Sequence, residues 1–348
     1  MPKPELNFDM KIVADDKIPY LKGVLEPYAE VSYLPGNKIT PVELADADVL
    51  ITRTRTACNR ELLAGSKVKL VTTATIGIDH INTAELDELG IVWKNAPGCN
   101  AASVKNYIAS ALASLGRDLS GLTLGIIGAG NVGKLVAEAG KAFGMKLLLN
   151  DPPRAEAEGS SGFCTLDELL TRSDIVTMHV PLDETTRGMA DEEFFMQMPQ
   201  GSIFINAARG EIMDDDALMQ AIPKLGAVVI DTWNHEPDVN RTLVDMVDIA
   251  TPHIAGYSYQ GKQNGTASAV QYVARHFGIE ALYDYYPEAD IPDHDPLQLD
   301  LADKNHGERA AVFQYNYPIF TDDFRFRMDP SSFEKLRSEY QYRREIYI

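Results

Sequence analysis

The chain has 348 residues, enough for two or three domains at roughly 100–200 residues each. Acids outnumber bases by 51 to 32, a formal net charge of −19, and such a surface repels nucleic acid and anionic membranes, so neither is an expected partner. Hydrophobic content of 45% is ordinary for a globular chain, and no run approaches the roughly 18 apolar residues of a membrane span. Three scattered cysteines, Cys58, Cys99 and Cys164, are too few for a disulfide framework or a paired-cysteine metal site. The N-terminus lacks the apolar core of a signal peptide. The expected compartment is a reducing cytoplasm.

Met10–Asp15 is a short apolar strand ending in an acid, and a helix-like stretch follows to about residue 29. Glu30–Leu34, Val49–Thr52, Lys69–Thr73 and Ile91–Lys94 are further strands, separated by helical stretches such as Arg60–Leu63 and Asn82–Glu88. That alternation predicts a small parallel α/β domain. Asn100–Leu119 reads as a long helix crossing from the first domain to the second. Six strands then alternate with helices, over 122–127, 146–150, 174–179, 202–206, 226–231 and 248–250, the count of one doubly wound sheet. Residues near 258–283 read as helix returning to the first domain. From about 285 a Pro- and Asp-rich linker leads to a tail of some 60 residues, too small to be secure alone. Its Phe333–Arg344 segment reads as an amphipathic helix with Ser331 as N-cap and Glu334 completing a capping box. The tail is expected to pack on another subunit.

The most informative run is Leu122–Gly133, a buried strand entering a glycine turn and then a helix. In that geometry a dinucleotide's pyrophosphate rests on a helix N-terminus. Gly128 permits the tight turn, Gly130 lets the backbone approach the phosphates, and Gly133 lets helix pack on strand. Asp151 ends the next strand, where an acid accepts from ribose hydroxyls and repels the extra phosphate of NADP. The expected cofactor is therefore NAD. A glycine triplet alone also describes an ordinary strand-to-helix turn; the strand, the helix and the acid together argue against that.

Three later segments follow strand ends, the edge where open α/β sheets bind ligands. Ile205–Gly210 carries Arg209, Ile230–Pro237 carries Asp231 and Glu236, and Ala250–Tyr257 carries His253. Oxidising an alcohol needs a base for the hydroxyl proton, and imidazole cycles near neutral pH. Glu236 is suited to orient the ring and stabilise imidazolium. Arg209 can fork onto a carboxylate or the reacting oxygen. Asp231 is suited to meet the nicotinamide end of the cofactor. Each residue alone has a plain structural reading, as hydrogen bonder, turn or loop.

The motifs Gly-Ala-Gly-Asn-Val-Gly (128–133), Asn-Ala-Ala-Arg-Gly (206–210), Asp231-x-Trp-x-x-Glu236-Pro and Thr-Pro-His-Ile-Ala-Gly (251–256) resemble those of the D-isomer-specific 2-hydroxyacid dehydrogenases. Ala96–Ala101, Asn150–Arg154, Ala74–His80, His253–Tyr257 with Gly261-Lys262, and the tail motifs Phe333–Arg337 and Tyr342–Glu345 resemble one branch of that family, whose members act on a phosphorylated hydroxy acid. The resemblance implies a Rossmann-type doubly wound NAD domain (99–254), a flavodoxin-like substrate domain (1–98 and 255–284) and a small C-terminal α+β dimerisation domain (285–348). It implies a homodimer, a small phosphorylated hydroxy acid as substrate, and no metal. It implies Arg209, Glu236 and His253 as the catalytic set. Cofactor contacts are implied at Asn131, Val132, Asp151, Val180, Ala207, Ala208, Arg209, Asp231 and Gly256, and substrate contacts at Thr54, Thr75 and Tyr257. Arg53 and Arg55 flank Thr54 and are either phosphate ligands or a basic surface loop. Thr54 stands where serine is more usual, Val180 where threonine is expected, and Lys105 at a position often acidic in the wider family. Another D-2-hydroxyacid dehydrogenase, for instance one acting on 3-phosphoglycerate, and a non-catalytic NAD-sensing protein are the alternatives.

Overall fold

The computed structural model describes residues 9–288 and 294–348. The N-terminal residues 1–8 and residues 289–293 of the Pro- and Asp-rich run lie outside the described residues. Two compact units are present, Met1–Asn100 with Tyr259–Asp295, and Ala101–Ser258 with Pro296–Ile348.

In the first unit five parallel strands, β1 (Lys11–Asp15), β2 (Glu30–Leu34), β3 (Val49–Thr52), β4 (Leu70–Thr73) and β5 (Val92–Lys94), lie in the order β2-β1-β3-β4-β5. The central strands Val49–Thr52 and Leu70–Thr73 are buried at every position, as parallel strands covered on both faces must be. One face packs Ile12, Ile51 and Leu70 against Ala269, Val270 and Val273 of the helix Tyr259–Phe277. The other packs Val13, Leu50 and Val71 against Leu44, Leu62, Leu63 and Leu86. The helix expected over residues 16–29 is absent, and turns fill the segment. Pro19 and Pro27 lack the amide a helix interior needs, and Tyr20 adopts φ +61°.

The second unit contains β6 (Thr123–Ile127), β7 (Lys146–Asn150), β8 (Ile175–Met178), β9 (Ile203–Asn206), β10 (Ala227–Ile230) and β11 (Ile249–Ala250), all parallel, in the order β11-β10-β9-β8-β6-β7. From β6 the chain steps one way to β7 and the other way to β8. The strand order therefore reverses beside β6, and the glycine turn follows that strand directly. The helix read over Asn100–Leu119 is shorter, Ala101–Ser114, and lies wholly within this unit.

The tail does not stand apart as expected. Its helices His306–Asn316 and Ile319–Met328 put Phe313, Tyr317 and Ile319 into the same core as Ile108, Leu112 and Phe143. Phe326 and Phe333 join Trp233, Leu243 and Val247 on the opposite face of the sheet. The final strand, β13 (Ile346–Tyr347), runs parallel to β12 (Leu297–Gln298). Asn106 pairs with Ile346 as a strand neighbour would, accepting from its N–H at 2.8 Å and donating to its C=O at 2.6 Å. The tail thus buries Phe313, Tyr317, Ile319, Phe326 and Phe333 on its own chain. Its last helix also corrects expectation, spanning only Phe333–Ser338 without a side-chain cap. The hydroxyls of Ser331 and Ser332 both donate to Asp329 instead, which takes Ser331 away from the capping box.

Candidate active site

Strand register sets the frame. Asn150, Ile127, Met178, Asn206, Ile230 and Ala250 are cross-strand partners at the C-terminal edge of the second sheet. Whatever follows each of them emerges side by side. Gly128 follows β6, Asp151 follows β7, His179 and Val180 follow β8, Ala207–Arg209 follow β9, Asp231–Glu236 follow β10, and Thr251–Tyr257 follow β11.

The glycine turn has the required shape. Gly128 adopts φ +87°, and a Cβ there would sit 2.6 Å from the His179 carbonyl oxygen. A Cβ on Gly133 would lie 2.1 Å from the Gly128 carbonyl oxygen, so helix and turn touch through backbone alone. At Gly130 no protein atom lies within 4 Å of an added Cβ, and this residue N-caps the helix Asn131–Ala142 without a side-chain acceptor. The first amides of that helix, including those of Asn131 and Val132, therefore open beside a bare backbone, as a pyrophosphate requires. Asp151 accepts from Ala129 N–H at 2.9 Å and caps the next helix through Arg154 N–H at 3.1 Å. It ties β7 to the glycine turn, and these residues together fit NAD. Val180 sits against Gly128. His179 lies beneath the turn, and burial pushes its pKa down to about 3, so its ring is neutral.

The acid–base pair forms between the loops after β10 and β11. His253 Nδ1 lies 2.8 Å from Glu236 Oε2 and 3.1 Å from Oε1. Trp233 N–H donates to Glu236 Oε1 at 2.9 Å. Burial works to raise the Glu236 pKa, but His253, the Trp233 amide and Arg337 outweigh it and hold the carboxyl below its ordinary value. Glu236 is thus an anion with one face committed to the imidazole. His253 itself adopts φ +55°, a left-handed backbone that a non-glycine residue takes only when its surroundings enforce it.

Asp231 does the enforcing. Its side chain is 0% exposed and accepts from the Thr251 hydroxyl at 2.6 Å, Ile254 N–H at 2.8 Å and Ala255 N–H at 2.9 Å. Its own carbonyl accepts from His253 N–H at 2.7 Å. Because Thr251 donates to Asp231, the Tyr107 hydroxyl 2.8 Å away must donate to Thr251. Burial raises the Asp231 pKa despite the opposing pull of His253 and these donors. The Asp231 carboxylate thus anchors the loop that carries His253.

Arg209 projects from the turn after β9. Asn206 braces that turn at both ends, accepting from Ala208 N–H at 3.0 Å and donating to the Arg209 carbonyl at 2.8 Å. A Cβ on Gly210 would fall 1.9 Å from the Trp233 carbonyl carbon. Arg209 and the Glu236 loop are thereby held in backbone contact. Ala207 and Ala208 line the same turn, and Gly256 lies on the His253 loop before Tyr257. The Tyr257 ring packs edge-on against Tyr340, centroids 5.8 Å apart.

In the first unit Thr54 and Thr75 hold equivalent places. Thr52 and Thr73 are register partners, and each candidate lies two residues beyond, at the C-terminal edge. Thr54 is exposed; the Thr75 hydroxyl lies 2.7 Å from that of Thr73. Arg53 is committed elsewhere, its Nη2 3.1 Å from the fully buried Asp15 carboxylate, so much of its charge is already balanced.

Two residues escaped the sequence reading, both from the tail. Arg337 approaches Glu236, with Nη1 4.0 Å from Oε2. Arg343 donates to the carbonyls of Ile254 at 3.0 Å and Ala255 at 2.8 Å, bracing the His253 loop from below. Only the tail's resemblance motifs pointed to them.

Residues 92–255 match the model of the D-isomer specific 2-hydroxyacid dehydrogenase NAD-binding domain. The chain is 46% identical to an erythronate-4-phosphate dehydrogenase of Bacteroides thetaiotaomicron and 43% identical to one of Bacteroides fragilis, over 97% of this chain and 97% of each relative. It is similar to the crystal structure of D-lactate dehydrogenase from Aquifex aeolicus complexed with NAD and lactic acid, with a TM-score of 0.69 and 27% identity over 79% of this chain and 98% of that one.

Proposed function

The chain belongs to the erythronate-4-phosphate dehydrogenase family of NAD-dependent oxidoreductases, and from that premise we propose that it oxidises 4-phospho-D-erythronate to 2-oxo-3-hydroxy-4-phosphobutanoate in pyridoxal 5′-phosphate synthesis. The observation that carries the proposal is the His253–Glu236 pair, 2.8 Å apart, on loops that emerge beside the Arg209 turn from adjacent strands. The unit holding the glycine turn takes the cofactor role, and the unit holding Thr54 and Thr75 the substrate role.

NAD, when bound, supplies the hydride acceptor. His253 takes the C2 hydroxyl proton on Nε2, the ring nitrogen not facing Glu236. Glu236 accepts from Nδ1–H, fixes the tautomer and stabilises the imidazolium that forms. Arg209 donates to the substrate carboxylate or to the C2 oxygen, favouring the geometry from which hydride leaves. Thr54, Thr75 and Tyr257 supply hydroxyls for a polyhydroxy acid. Asp231 holds the His253 loop through its buried carboxylate beside the cofactor contact expected of it.

We assign the protein to a homodimer. Phe320, Phe324 and Met328, spaced four residues apart on one tail helix, are 45%, 63% and 67% exposed. Such a stripe of large apolar side chains suits a second copy of the chain. A cytoplasmic setting accords with three cysteines that form no disulfide.

The test is NADH formation at 340 nm with 4-phospho-D-erythronate, 3-phosphoglycerate and D-lactate in parallel. Strong preference for the first is expected. Preference for 3-phosphoglycerate keeps the chemistry and overturns the substrate. No turnover of any acid, with NAD bound and a 2-oxo acid present to reoxidise retained NADH, overturns the enzymatic reading in favour of an NAD-sensing protein.

A further inference from the structure

The tail helix Phe333–Ser338 brings a second guanidinium to the acid–base pair. Arg337 Nη1 is 4.0 Å from Glu236 Oε2 and 4.0 Å from Glu334 Oε1. These are ion-pair separations, too long for hydrogen bonds. The side chain is 17% exposed, and its Nε is buried without a hydrogen-bond partner. Phe333 and Tyr257 flank the group, with the guanidinium carbon 5.5 Å and 6.0 Å from their ring centroids. Arg337 is therefore held in place by packing and by charge, while its planar fork of N–H donors remains uncommitted. A mostly buried guanidinium whose charge is balanced but whose donors are unused suits a multivalent anionic acceptor. Both Glu236 and Tyr257 beside it belong to the site assigned above. Arg209, on the other hand, projects from the turn after β9 and is suited to the carboxylate end.

We propose that Arg337 is a substrate-binding residue that recognises the phosphate of the hydroxy acid and so sets specificity for phosphorylated over unphosphorylated substrates. This rests on the assignment of 4-phospho-D-erythronate as substrate. The tail then does more than pack: it brings a second guanidinium beside Glu236 and Tyr257, in addition to that of Arg209.

The test compares the full-length protein with Arg337→Met and Arg337→Lys, measuring kcat and KM on 4-phospho-D-erythronate and on D-erythronate, with pH profiles. Arg337→Met is expected to raise KM for the phosphorylated acid by roughly 10- to 100-fold, the loss of charged hydrogen bonds. The preference for the phosphorylated acid should collapse by the same factor, and Arg337→Lys should recover part of it. A parallel loss on both acids, or a fall in kcat with a shifted pH profile and unchanged KM, overturns the proposal and makes Arg337 a residue that positions Glu236. If Arg337→Met fails to fold, Arg337→Lys decides: preference undiminished overturns the phosphate contact, while a raised KM confined to the phosphorylated acid sustains it. Wild-type protein that shows no preference for the phosphorylated acid overturns the substrate assignment and this proposal together, an outcome visible before any variant is made.

Discussion

Glu236 shares its carboxylate among His253, the Trp233 amide and Arg337, and each of these favours the charged form. Its pKa is depressed in the fold, so the charge that orients His253 is present above the ordinary carboxylate value of 4.5 and is lost as pH falls through the lower folded value. Glu236→Gln removes the charge and leaves one acceptor oxygen where the ring and the Trp233 N–H now use two. We expect kcat to fall by about 100-fold or more, with NAD affinity retained in a fluorescence titration. His253→Ala should lose about 10³- to 10⁴-fold in turnover, the usual worth of a general base, while still binding NAD. Undiminished turnover in His253→Ala would remove this residue from the mechanism. Asp231→Asn tests the loop in a different way. An amide cannot accept from three donors as the carboxylate does, so the left-handed His253 backbone loses its support and both stability and kcat should drop.

At the scale of elements, the parallel strands were legible because a strand buried on both faces reads as a continuous apolar run. All six strands expected in the second sheet form within two residues of their expected ends. The loops after them were legible as candidates because their chemistry follows strand ends directly. The part Asp231 plays in holding the His253 loop was not legible because its amide partners, Ile254 and Ala255, belong to the next strand's loop and only the fold brings them close. Arg337 was missed because nothing in a short helix near the C-terminus signals that it lies against Glu236. The helix-like reading of 16–29 gave no weight to Pro19 and Pro27. The end of β8 carries a pH prediction. His179 is depressed by burial from 6.5 to about 3, so the unfolded chain binds a proton that the folded chain refuses between those values. The stability due to its neutral ring is complete above pH 6.5 and erodes as pH falls toward 3, by a few kcal/mol in all. Chemical denaturation at pH 4 and pH 7 should show that loss in the wild type and a smaller one in His179→Gln.

At the scale of the whole molecule, a chain with a net charge of −19 resists self-association, so a homodimer needs an interface whose apolar contact outweighs that repulsion. The tail helix Ile319–Met328 offers one. Its inner face, with Ile319 and Phe326, is buried in the core of its own unit, while Phe320, Phe324 and Met328 face outward together. The two faces separate the helix's roles. Inner substitutions such as Phe326→Ala should destabilise the fold by about 3–5 kcal/mol, as large-to-small changes in a packed core do. Outer substitutions should leave the fold intact and act on assembly alone. We expect sedimentation velocity to give a dimer for the wild type and a monomer for Phe320→Lys/Phe324→Lys, with the thermal midpoint extrapolated to low protein concentration little changed. Because repulsion between like-charged copies is screened by salt, the wild-type dimer should tighten as ionic strength rises. A dimer that the double variant leaves intact would move the interface to another surface, and a wild-type monomer at micromolar concentration would overturn the dimer itself.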